Sequence, residues 1–513
     1  MGILLRIKEE STKELSSMFG IRNSQQFQKY IVSLGRLPLL IFFGLIYSLI
    51  SLVNHYLFRT YALDLGLYTQ ALYDYRVGEF NDSLCFKEEA ENLLADHFDL
   101  YLPLFSPLSW LLGTYTLLIV QISALLFGAL GVYRFFQEES RSIAFWSMFW
   151  FLSFYGVFAA VSFDYHSNVV ASCVVPWIFL AFKNGKAWRA FFLFSFFLIA
   201  KENMALWGFF LAIGWMWINW SNRRLRFLAM VLAAYSLVYF GSITFGVMAS
   251  LSNSGGYHHF HYTVLGEGPV EALKFLLLNP IEGLRLLFVN HLNEPGFDGF
   301  KGELHLFLLA SGIWLLFRKP VYLFMLIPIF AQKLFHDNVS MWGIGSQYSI
   351  EFAPVLAIGI FTIIQKNATQ KGQRILLFLV LAGTVMVTVK SMDNTKMWTN
   401  KERIRVYSPI HYSREFNVMR IYTELNLIPP SAAVSAQTSL LPHLALREEV
   451  YQFPLIHNAT YIVLLPLVDY YPLSQVEWQE QLKAIQHSEQ WELISDFPEI
   501  VIFRKRADHN SNE

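Results

Sequence analysis

The sequence predicts a mainly α, polytopic membrane protein of about eleven transmembrane helices, with a small α/β domain at its C-terminal end. Three observations predict it. The 513-residue chain is 54% hydrophobic and only 15% charged, where soluble proteins carry about a quarter charged residues. Long apolar runs recur from residue 37 to residue 391. Lysine and arginine gather in alternate connections between those runs.

The first 36 residues carry Arg6, Lys8, Lys13, Arg22, Lys29 and Arg36 among acids, ahead of an apolar run with no small-residue cleavage site. This pattern reads as a cytoplasmic amphipathic leader, not a signal peptide. Candidate spans follow at 37–57, 115–134, 142–160, 168–182, 190–202, 204–220, 227–250, 300–317, 321–335, 347–365 and 374–391. Several are shorter than the roughly 20 residues of a perpendicular span, which predicts broken or tilted helices.

The predicted inner connections contain Arg134 and Arg141; Lys183, Lys186 and Arg189; Arg223, Arg224 and Arg226; Arg318 and Lys319; and Lys366, Lys371 and Arg374. The predicted outer loops at 161–167 and 336–346 contain no lysine or arginine. Basic residues collect on the cytoplasmic side, so the N-terminus is expected inside and 58–114, 251–299 and everything after 392 outside. An amphipathic stretch at 270–291 fits the outer interface or a re-entrant segment.

After residue 392 acids, bases and prolines return. Short apolar runs at 432–436, 461–465, 491–495 and 500–504 read as strands, with helices near 414–427 and 475–487. Basic and acidic residues balance at 39 each, so no global field points to nucleic acid. Only Cys85 and Cys173 occur, too few for a disulfide framework or a cysteine metal cage.

Chemistry is expected on the outer face, where polar groups crowd the predicted membrane surface. Asp64 follows the first span in a stretch whose Leu63, Leu67, Tyr68 and Leu72 recur at helical spacing. A carboxylate there serves as an N-cap, or as a general base or cation ligand. Asp96, His97 and Asp99 place two carboxylates and an imidazole within four positions, although no second spaced metal ligand accompanies them.

Asp164 and His166 lie in a very short outer loop, and Lys201, Glu202 and Asn203 stand where two outward-pointing spans meet. Ionisable groups at that depth pair, snorkel or serve function. A lysine on the outer face runs against the basic-inside trend and favours a partner such as a phosphate. The run from Tyr257 to Tyr262 is histidine-rich, but neighbouring histidines in an exposed loop usually point apart. His336, Asp337, Gln347 and Glu351 add further polar groups at outer helix ends.

The order DLGLYTQALY, DHFDLYLPLFSPLSWLLGTYTLLIVQ, FDYHSN, KEN and then PHLALREEVYQFP resembles a bacterial membrane family, a domain of unknown function grouped with the GT-C-fold glycosyltransferases. The resemblance covers nearly everything after residue 37. It implies a multi-helix membrane module, a first outer loop bearing an acidic catalytic residue, and a polyprenyl-phosphate sugar donor. On this chain the acidic residue maps to Asp64. Relatives that glycosylate lipid A or protein often show paired acids; here Leu65 follows Asp64.

Asp96, His97, Asp164, His166, Lys201 and Glu202 would then line the same outer cavity as substrate-binding groups. The expected activity is sugar transfer to an envelope acceptor at the outer face of the bacterial inner membrane, with Lys201, and a divalent cation such as Mg or Mn, balancing charge on the phosphate. Membrane lipid, the donor and the acceptor are the expected partners. The competing classes are a transporter or flippase of a lipid-linked saccharide, for which no internal inverted repeat is visible, and an envelope assembly protein.

Overall fold

The computed structural model describes residues 24–255, 259–396 and 400–506. The predicted leader lies outside the described residues up to position 23; from Ser24 the chain is already helical and runs into the first span as Ser24–Tyr56. The described residues are mainly helical up to residue 393, and a small mixed sheet follows.

Among the described residues, five helical stretches are long and apolar enough to cross a membrane: Gly35–Tyr56, Tyr101–Phe136, Arg223–Leu251, Gln347–Gln365 and Gln370–Asp393. Arg141–Ser153 and Tyr155–Ser162, bent by 42° at Phe154, make a sixth when taken as one span. Three shorter apolar helices, Ser167–Lys183, Ala187–Leu198 and Met204–Ile218, join them. The apolar runs predict about eleven spans, whereas length and composition in the folded chain support five or six.

Backbone breaks account for much of the difference. The 300–317 run divides at Gly312, whose φ of +102° is open to glycine and ends the helix Phe300–Ala310. The next run is split into Pro320–Phe324 and Ile327–Leu334, each with a proline in its first turn. Apolar composition persists across such breaks, so a count of apolar runs exceeds a count of continuous helices.

The apolar helices turn large side chains outward. Ile41, Leu45, Phe192, Phe227, Val238, Phe378 and Met386 are all more than half exposed on the isolated chain, which is the surface a bilayer covers without cost. Polar contacts then mark two opposite ends of the bundle. At one end Glu139 pairs with Lys183 at 3.0 Å and accepts from Gln365 at 2.8 Å. The 163–166 connection, the 199–203 connection and the start of Gln347–Gln365 lie at the other, because each is one helix length away along the chain.

The C-terminal sheet has five strands in the spatial order Val450–Gln452, Val434–Ala436, Tyr461–Leu464, Val501–Lys505 and Trp491–Asp496. The first three run parallel; the last two pair antiparallel. Four strands occupy the predicted runs, as does the helix Gln475–His487, opened by a Ser474/Glu477 capping box. The helix expected near 414–427 is Val418–Leu425. Val450–Gln452 and the short helix Leu441–Leu444 carry too few residues for a periodic signal.

One face of this sheet shares its core with the segment that follows the first helix. Phe58, Ala62 and Cys85 are buried in the same cluster as Val434, Ala436, Leu440, Leu441, Val463 and Ile502. Backbone joins them too: Gln452 N–H donates to the Cys85 carbonyl at 2.8 Å. The sheet thus rests on the segment that carries Asp64.

Candidate functional site

The site begins where the first helix ends. Phe58 adopts a φ of +55°, costly for a bulky residue, and its ring is buried against Tyr422 and His443. This turn directs the chain into Ala62–Gly66, a wide helical turn continuous with the helix Leu67–Val77. Neither element carries a side-chain cap. Asp64 turns instead toward His166, its Oδ1 3.3 Å from Nε2.

Gly66 explains how closely this turn meets the sheet. A Cβ there would stand 2.4 Å from Leu441 Cδ2, inside any tolerable contact. The Ala62 N–H also donates to Thr438 Oγ1 at 3.3 Å. The acidic turn is therefore pressed between the C-terminal sheet and the bundle.

The short loop before Ser167–Lys183 clamps the other side. Asp164, wholly buried, accepts the Tyr61 N–H on Oδ2 at 2.8 Å and pairs through Oδ1 with Arg403 Nη2 at 2.9 Å. Gln121, from the helix Thr116–Phe136, donates to the carbonyls of Ala160 and Asp164 and accepts the His166 N–H. Burial pushes the Asp164 carboxyl up to about 6 against the opposing pull of Arg403.

A second group forms where 96–101 meets 199–203. The Leu100 N–H donates to the Ile199 carbonyl at 3.0 Å. Lys201 Nζ donates to His97 Nε2 at 2.9 Å, and His97 Nδ1 faces Glu202 Oε1 at 3.5 Å. Glu202 is buried and also accepts the Phe98 N–H. Asp96 meets His259, whose Nε2 lies 3.1 Å from Oδ1. Asp99 is buried beneath them, accepting the Tyr101 N–H at 2.9 Å.

Charge joins the two groups. Burial works to raise the Asp64 carboxyl, but His166, Lys201 and His97 together bring it below the ordinary range. Burial likewise opposes ionisation of Asp96 and Glu202, and their neighbours overcome it: the hydrogen bond from His259, with His97 and Lys201, for Asp96, and His97 and Lys201 for Glu202. Burial and then Lys201 press His97 downward, toward neutral imidazole. Asp99, with burial dominant, rises to about 7.

All seven residues proposed from the sequence thus fall into one polar region at the end of the bundle opposite Glu139 and Lys183. Three partners were not anticipated there: Arg403, His259 as a neighbour of Asp96, and Gln121. Arg403 sits in a charged stretch, Lys401–Arg403, indistinguishable in sequence from a solvated turn. Of the histidine-rich run, Tyr257 and His258 lie outside the described residues. Glu351 accepts from Asn168 at 2.9 Å, and Asp337 accepts from Thr263.

A family model described as predicted membrane protein (DUF2079) matches residues 54–496. The chain belongs to the DUF2079 family. No curated protein matches it. The DUF2079 match takes in the whole polar region, from Asp64 through Arg403, and the sheet as far as Trp491–Asp496. With that family and its long apolar helices, the chain is a multi-pass membrane protein.

Proposed function

We propose that this DUF2079 protein is a GT-C-type glycosyltransferase that moves a sugar from a polyprenyl-phosphate donor to an envelope acceptor at the outer face of the bacterial inner membrane. The observation that carries the proposal is Asp64: a partly exposed carboxylate held as an anion against His166, within the electrostatic reach of Lys201 and His97. Acid and cation adjoin at a membrane-surface site, which is the charge arrangement that phosphate departure needs.

In this reaction an acceptor hydroxyl donates its hydrogen bond to Asp64. Its oxygen attacks the anomeric carbon, the bond from that carbon to phosphate breaks with its electron pair on the phosphate oxygen, and the sugar inverts. The acceptor proton passes to Asp64 as the new bond forms. A carboxylate held low is a weak base early in the reaction, and it takes the proton once the attacking oxygen has become acidic. Lys201 offsets charge growing on the leaving phosphate.

The orientation rests on the basic connections, of which the one bearing Lys183 stands at the end of the bundle away from Asp64, as a cytoplasmic loop would. In this reading the shorter apolar helices and the two broken runs complete about eleven crossings. The isoprenoid tail lies between helices at the bilayer side, and the C-terminal sheet, packed on the Asp64 turn, presents the acceptor.

The test is to incubate purified protein with a panel of polyprenyl-phosphate sugars and an envelope extract, and to measure released polyprenyl phosphate. Release that depends on the extract supports transfer. Saturable binding of a donor without release supports carriage of the lipid-linked sugar and contradicts transfer.

A further inference from the structure

Two segments far apart in sequence meet beside the proposed donor site. Asp96 ends the short helix Leu93–Asp96, and His97 follows in extended backbone. His259 arrives from the outer segment between Arg223–Leu251 and Phe300–Ala310. The His97 and His259 rings lie 4.3 Å apart, inclined by 24°. One donor atom from each of Asp96, His97 and His259 falls within 4.8 Å of the others.

Behind this trio stands a carboxylate. His97 Nδ1 faces Glu202 Oε1 at 3.5 Å, and Glu202 is fixed by the Phe98 N–H at 3.2 Å. Metal-bound histidines characteristically give their second ring nitrogen to a carboxylate, which sets the tautomer and directs the other nitrogen at the ion.

We propose that Asp96, His97 and His259 bind a zinc-class divalent cation, with Glu202 orienting His97. Two imidazoles and one carboxylate suit first-row transition ions, with zinc among them, whereas magnesium favours oxygen ligands and retained water. Ligand distances of about 2 Å require the three side chains to draw in by rotation about their own torsions. Lys201 Nζ presently donates to His97 Nε2, so loading exchanges one ammonium for the ion and frees Lys201 toward the phosphate. The ion also fastens the His259 segment to the loop that precedes Tyr101–Phe136.

The site does not depend on sugar transfer, because its readout is metal content. Full-length protein in detergent is stripped with a chelator, equilibrated with equal zinc and magnesium, and analysed by elemental mass spectrometry. The expected result is about one zinc per chain, with magnesium at background. His259→Gln and Asp96→Asn are expected to lose zinc affinity by about tenfold or more, Glu202→Gln by about 10–100-fold. Lys201→Met is expected to gain affinity, since it removes the competing ammonium.

Cobalt in place of zinc reports on the wild type alone, so a variant that misfolds does not decide the matter. A cobalt spectrum of low-symmetry nitrogen and oxygen coordination supports the site. Zinc retained equally by wild type and a monodisperse His97→Ala/His259→Ala double variant overturns it. So does a cobalt spectrum of the hexa-aqua ion in the wild type.

Discussion

Arg403 Nη2 stands 2.9 Å from Asp164 Oδ1, and both side chains are buried, the carboxylate completely. The pair links the segment after Gln370–Asp393 to the loop that holds Asp64 through His166. The Arg403 guanidinium also lies over the rings of Tyr61 and Phe163, at 5.0 and 5.4 Å. Three pieces of chain from distant parts of the sequence therefore share one buried charge pair.

Removing one partner leaves the other charged and unsolvated. Arg403→Met is expected to destabilise the protein by about 3–5 kcal/mol, the usual consequence of breaking a buried ion pair from one side. Adding Asp164→Asn should recover part of that loss. Thermal unfolding in detergent, followed by loss of the monodisperse peak, measures both. A single variant as stable as wild type contradicts the pair's structural role.

The raised carboxyls of Asp99 and Asp164 set a direction for pH. Between their ordinary value near 3.8 and their raised values of about 7 and about 6, the folded state holds protons that the unfolded chain has released. Their contribution to stability therefore falls as pH rises through that window. Asp99→Asn is expected to flatten the decline between about pH 4 and pH 7 relative to wild type. Unfolding temperatures across this range check the sign, and a steeper decline in the variant contradicts it.

Gly66 lies where a side chain would press on Leu441. Gly66→Val is expected to cost about 1–3 kcal/mol through overpacking. Leu441→Ala in the same chain should relieve the clash. Matched unfolding curves of the three proteins decide it, with rescue by the second substitution as the expected outcome.

Lys201 is the cation proposed to meet the departing phosphate. Lys201→Met is expected to weaken donor binding by about tenfold or more, as loss of a charge-assisted hydrogen bond does. Binding of a polyprenyl phosphate measured at low and high salt separates this from a folding defect. The wild type should lose more affinity with salt than the variant.

Much of the architecture was legible because membrane solvent imposes long apolar runs. Each predicted run coincides with helix, and four of the five C-terminal strands fall on alternating or apolar stretches. Continuity was not legible, since apolar composition carries through the break at Gly312 and the proline-led restarts at 320 and 327. The seven candidate polar residues were found from their cost near a membrane. Their partners were not: the pairing of Asp164 with Arg403 spans 239 positions and that of Asp96 with His259 spans 163, and only tertiary packing brings them together.

The account turns on Asp64 as the group that receives the acceptor proton. The decisive measurement compares wild type with Asp64→Asn for release of polyprenyl phosphate from a turned-over donor, with both proteins equally monodisperse. The account predicts a fall of about 10²–10⁴-fold, as expected when a positioned base is lost, with donor binding retained. Turnover by Asp64→Asn equal to that of the wild type would contradict it.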